Sequence, residues 1–131
     1  MLENQKYGYA VASIGKLSGE VPYTVFYARK SYVDNNKELL TKFTNAINKG
    51  LKYVQDNDSQ TIAEAIIKQF PDTKINDLKS MIQRYKDNDC WLDTPYVSED
   101  LYNNLNNFLI KNNLTTNESH YPEIVNNMYQ K

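Results

Sequence analysis

Cysteine is almost absent from this chain. Cys90 stands alone, so there is neither an internal disulfide nor a thiolate metal cluster. Beside Trp91 it reads as a small packed residue rather than a nucleophile. Histidine occurs once, as His120 in a polar stretch, and no spacing ties it to Cys90 as base to nucleophile. There are two arginines, Arg29 and Arg84, far apart, and the net charge over 131 residues is −1. Without a basic face, nucleic-acid binding is excluded as a reading. No apolar run reaches the roughly eighteen residues that a membrane-spanning helix needs. The start, Met1 to Lys6, is polar and lacks the apolar centre of an export signal, so the chain as written is expected to remain cytoplasmic. Glycine is scarce too. The one close pair, Gly15 and Gly19, lies between two expected strands, whereas a phosphate loop must open onto a helix.

What is present is helical periodicity. From Asn36 the apolar positions Leu39, Leu40, Phe43, Ala46, Ile47, Leu51 and Val54 recur three and four apart, which predicts a helix over 36–55. Gly50 lies on the same stripe and implies close packing against a neighbour. Lys30 to Asp34 is expected to make a short helical turn. Asp58-Ser59 caps a helix over 59–69, with Ile62, Ala63, Ile66, Ile67 and Phe70 inward and Pro71 as its stop. Thr73 is expected to cap a helix over 74–87, with Ile75, Leu78, Met81, Ile82 and Tyr85 inward. Ser98 caps a helix over 98–112 that buries Leu101, Leu105, Phe108 and Leu109. Pro122 opens a last helix over 122–129 carrying Ile124, Val125 and Met128. Two β-rich stretches precede these helices, Tyr7 to Ile14 and Pro22 to Ala28, and both are expected to be strands. The second is apolar on both faces, as in a sheet covered by helices. The expected class is therefore α/β, mostly helical, with about five helices and two strands.

No arrangement of nucleophile, base and orienting group is legible, so no catalytic residue is assigned and no enzyme activity is expected. The acidic pairs Asp56/Asp58 and Asp87/Asp89 offer too few oxygens for a cation, so no metal or cofactor is expected either. Glu20 stands just before a strand apolar on both faces, either at a solvated strand end or at the mouth of a cleft. Tyr23 and Thr24 are ordinary strand residues or bring hydroxyls to that mouth. Trp91 is a packed anchor under a loop or a wall for a ligand. Glu20, Tyr23, Thr24 and Trp91 are thus the candidate ligand-binding residues.

The run "SGEVPYTVFYARKSYVDNNKELLTKFTNAINKGLKYVQDN" resembles the C-terminal part of the substrate-binding proteins of ABC importers. The similarity is to the sulfonate/nitrate/taurine and thiamine-precursor group. It lies in a short apolar strand ending at Tyr27-Ala28, a charged pair, Tyr32, a "DNN" start and a long helix with Phe43 and Ala46. "AEAIIKQFPDT", "YKDNDCW" and "SEDLYNNLNNFL" continue the same order, so the resemblance runs from about Gly8 to Asn113.

That resemblance implies a C-terminal fragment of a type II periplasmic-binding-protein-like fold, with two lobes closing on a small solute. Residues 1–28 would be the end of lobe two and the returning hinge strand, and residues 29–131 the C-terminal helices of lobe one. Glu20, Tyr23 and Thr24 would face the cleft. "PYTVFYA" carries no acid, unlike binders of pyrimidine precursors. The resemblance further implies a membrane permease as partner and an extracytoplasmic, lipoprotein-type location for the complete protein. It also implies that the strands lack partners because those belong to a missing N-terminal half, so this chain alone is expected to self-associate. The rival reading is an independent small helical domain acting through self-association or protein–protein contact.

Overall fold

Apolar residues three and four apart dictate helices, and the computed structural model, which describes residues 3, 5–116 and 119–127, is helical. In chain order the α-helices are α1 (Ile14–Ser18), α2 (Lys30–Asn35), α3 (Lys37–Asp56), α4 (Ser59–Ile66), α5 (Ile75–Asp87), α6 (Glu99–Lys111) and α7 (Tyr121–Ile124). A 3₁₀ turn, Ile67–Gln69, tightens the end of α4 shortly before Pro71. The four longest helices stand within a few residues of their expected bounds, and α2 is the expected helical turn.

Neither expected strand forms. No strand occurs among the described residues, and Ile14 belongs instead to α1. A strand must satisfy its N–H and C=O groups on a neighbour, and a lone hairpin is marginal in water. The side chains stay in the open: Val11 is 96%, Tyr23 94% and Tyr27 95% exposed. The α/β expectation is corrected to a small helical protein.

The chain divides into two units. One comprises Met1–Leu17 and Lys49–Asp93. Its core is Ile62 and Ala63 of α4 against Leu78 and Ile82 of α5, with Val54, Ile66, Ile67, Ile75 and Trp91 packed around them. Asp58 caps α4 as expected, accepting the Thr61 N–H at 2.7 Å. Thr73 does not cap α5; Lys74 occupies that position and its side chain makes no capping bond. Lys86 reaches from α5 to the end of α3, where Nζ donates to the carbonyls of Val54 (2.9 Å) and Asn57 (2.6 Å), groups in need of donors at a helix C-terminus.

The other unit comprises Ser18–Asn48 and Thr94–Lys131. Ser98 caps α6, its Oγ accepting the Leu101 N–H at 3.1 Å. The buried residue of α6 is Tyr102, whereas Phe108 is 45% exposed and Leu101, Leu105 and Leu109 are only half-buried. The Tyr102 ring meets Tyr121 at 5.8 Å, and its hydroxyl is hydrogen-bonded to Ser119. Tyr121 Oη donates to the Val97 carbonyl at 2.6 Å, and Asn127 Nδ2 donates to the same carbonyl at 2.9 Å. Helix α7 is shorter than expected: Val125 is extended, and Met128 with the rest of the expected 122–129 helix lies outside the described residues.

Candidate functional site

Helix α3 carries an apolar arc wider than the described residues cover. At about 100° per residue, Leu40, Thr44, Ile47, Leu51 and Val54 fall on one line along the helix, and all five are half-buried. Leu39, Phe43, Ala46, Gly50 and Tyr53 fall on a second line, about 100° round the axis, and all five are exposed. Leu39 is 52% exposed, Phe43 42% and Tyr53 42%. A Cβ built on Gly50 would meet nothing within 4 Å. The close packing expected at Gly50 is therefore not supplied by the described residues. Phe43 meets one neighbour edge-on, Phe26 at 4.9 Å, and Phe26 is itself 73% exposed.

The candidate ligand residues lie in two places. Glu20, Tyr23 and Thr24 are consecutive or nearly so on an irregular, exposed segment, and the Glu20 backbone carbonyl accepts Asn104 Nδ2 at 3.3 Å. Trp91 belongs to the other unit. Its ring stands edge-on to Tyr85 at 5.3 Å and packs on the α4–α5 core, while its carbonyl accepts Gln55 Nε2 at 2.9 Å.

An open groove of about 530 Å³ lies along α5, lined by Ser59, Lys79, Ser80, Gln83, Arg84, Asp87 and Asn88. Its polar groups are largely engaged with one another or with near neighbours. Arg84 is ion-paired with Glu3, Gln83 Nε2 donates to Asp87 Oδ1 at 2.8 Å, and Lys16 Nζ donates to the Asp87 carbonyl at 3.1 Å. Ligand sites instead converge a few polar groups inside an enclosing apolar wall.

Charge shifts follow local structure. The Ala10 N–H, at 2.8 Å, and the Arg84 guanidinium hold the Glu3 carboxyl below its ordinary range. The Thr61 N–H does the same for Asp58. Asp34 raises Lys30, and burial followed by Tyr96 raises Tyr121. Of the acidic pairs, Asp58 is a cap and Asp56 pairs with Lys52 at 2.9 Å. Among the described residues no group of three or more His, Cys, Asp or Glu gathers as metal ligands, and no helix is long and apolar enough to cross a membrane.

Sequence reasoning missed Tyr102, although its spacing to Leu105 and Leu109 marks it as a stripe residue. The Glu3–Arg84 pair joins residues 81 apart and leaves no local signal.

The chain is 33% identical over 126 residues to a Bacillus subtilis (strain 168) protein named "Putative binding protein YtlA". The match takes in 96% of this chain and 38% of that protein, so the chain spans well under half of this relative's length. No protein-family profile matches the chain, and no solved structure matches it.

Proposed function

We propose that this chain is the C-terminal portion of an ABC-importer solute-binding protein, of the sulfonate, taurine and nitrate type. It performs no chemistry and is not ligand-competent alone. In the complete, extracytoplasmic protein, residues 1–28 end lobe two and return through the hinge, and residues 29–131 complete lobe one. Glu20, Tyr23 and Thr24 face the cleft. Two lobes close on the solute about the hinge, and the closed form docks on a membrane permease.

The observation that carries this reading is the uncovered apolar surface of residues 7–28, in which Tyr7, Tyr9, Val11, Tyr23 and Tyr27 are each at least 75% exposed. Such a surface is rarely tolerated without a partner. The longer relative, which is named as a binding protein, supports it. The same surface also favours a second reading, a small helical module that self-associates through it.

The test is a chimera in which this chain replaces its matching region of the Bacillus relative, titrated calorimetrically with taurine, alkanesulfonates and nitrate. Binding at roughly micromolar Kd or tighter by the chimera, and none by the chain alone, is the expected result. A folded chimera that binds none of these solutes overturns the transport reading.

A further inference from the structure

The exposed line on α3 differs from the rest of the uncovered surface because it belongs to a regular helix with a defined shape. Large side chains stand at Leu39, Phe43 and Tyr53, and the smallest ones, Ala46 and Gly50, make a saddle between them. Small residues at such a place let a neighbouring backbone approach closely. They give little by themselves: a mid-helix glycine costs helix stability relative to alanine, and here the space it leaves is empty. We infer that the Leu39–Phe43–Ala46–Gly50–Tyr53 face of α3 is a docking surface for an apolar face of the remainder of a longer protein.

This rests on the reading that the chain is part of such a protein. The relative that matches nearly all of the chain has more than half of its own length outside the match, which is where a covering element would come from. The polar flank argues against a second copy as occupant. In an antiparallel self-pairing centred on Ala46, Lys42 of one copy falls beside Lys49 of the other, and like charges at such positions repel. Lys42 already has its own partner in Glu38 at 2.6 Å. Phe26, leaning on Phe43, extends the apolar surface on the docking side.

Thiol labelling tests the surface, in a Cys90→Ser background because Cys90 is exposed. Asn45→Cys, exposed and about 100° round the α3 axis from Ala46, away from the apolar lines, is the control for Ala46→Cys. In the isolated chain both should label at similar rates. In the chimera with the Bacillus relative, Ala46→Cys should label at least roughly tenfold more slowly, and Asn45→Cys should be unchanged. Equal rates at both positions in a chimera that melts cooperatively overturn the inference. So does protection of Ala46→Cys in the isolated chain that disappears on dilution, which would make a second copy the occupant. Gly50→Leu in the isolated chain gives an independent check. Its melting temperature should not fall, and a marked fall would mean that the saddle is already filled. Solute titration of the same chimera keeps the two proposals apart: protection without solute binding leaves the docking surface standing and removes the transport reading.

Discussion

Asp89 sits at the end of α5 with φ of 49°, a conformation that favours glycine. The geometry is a Schellman closure: the Cys90 N–H donates to the Tyr85 carbonyl at 3.0 Å and the Asp89 N–H to that of Lys86 at 3.1 Å. This explains where Cys90 stands, one residue past the turn and exposed rather than packed as the sequence suggested. Asp89→Gly should raise stability by up to about 1 kcal/mol, since the left-handed strain of a side chain is removed. Urea unfolding checks it, and a loss of stability would mean that the Asp89 carboxylate contributes more than the strain. Asn113 closes α6 in the same way at φ of 56°, but asparagine tolerates that region better, so its replacement by glycine should give less. Stability should also depend on acid. Asp58 and Glu3 are both held below their ordinary range by N–H donors, with Arg84 adding to Glu3. A depressed folded pKa gives stability that is present above the unfolded value, about 3.9 for Asp and 4.3 for Glu. It is lost as pH falls through the folded values. Urea midpoints at pH 7 should therefore exceed those at pH 3, and Asp58→Asn should narrow the gap. An unchanged gap would remove Asp58 from the cause. The caps at Asp58 and Ser98 were legible as residue types at helix starts. Thr73 misled because a capping residue type one position too early does not place its oxygen on the right N–H.

At the scale of elements, α3 to α6 were legible because helix formation is local: each backbone bond closes within four residues, and the apolar stripe marks the covered face. The strands at 7–14 and 22–28 were not, because a strand's hydrogen bonds lie on another segment. β-rich composition says what a stretch would do if a partner were there. The candidate site was legible even less. Glu20, Tyr23 and Thr24 are neighbours by sequence alone, and Trp91 packs under its loop beside Tyr85. The core itself is small. Ile62, Ala63, Leu78 and Ile82 are its fully buried members, drawn from two helices of 8 and 13 residues. Ile82 is 2% exposed, and Ile82→Ala should cost about 2–5 kcal/mol. That is much of what a domain of this size has to spare. Hydrogen exchange should show α4 and α5 losing protection together, whereas protection of α6 falls less. Uniform loss across all helices would contradict an independent α4–α5 core.

At the scale of the whole molecule, accessible area decides more than any one contact. An apolar surface that carries Tyr7, Val11, Phe26 and Tyr27, each at least 73% exposed, does not stay wet at high concentration. The isolated chain should therefore self-associate through residues 7–28, where large apolar side chains are exposed and no strand pairing occurs among the described residues. Val25 lies in the middle of the second segment and is 57% exposed, so it supports no buried core. A lysine there puts a charge on the associating surface and leaves the helices alone. Val25→Lys should shift the chain toward monomer in sedimentation velocity, with an unchanged helical circular dichroism spectrum. Loss of helix would show that the segment holds the fold together. A wild-type chain that stays monomeric at millimolar concentration would sink the idea of a partnerless surface, and with it the chief reason for regarding the chain as a portion of something larger.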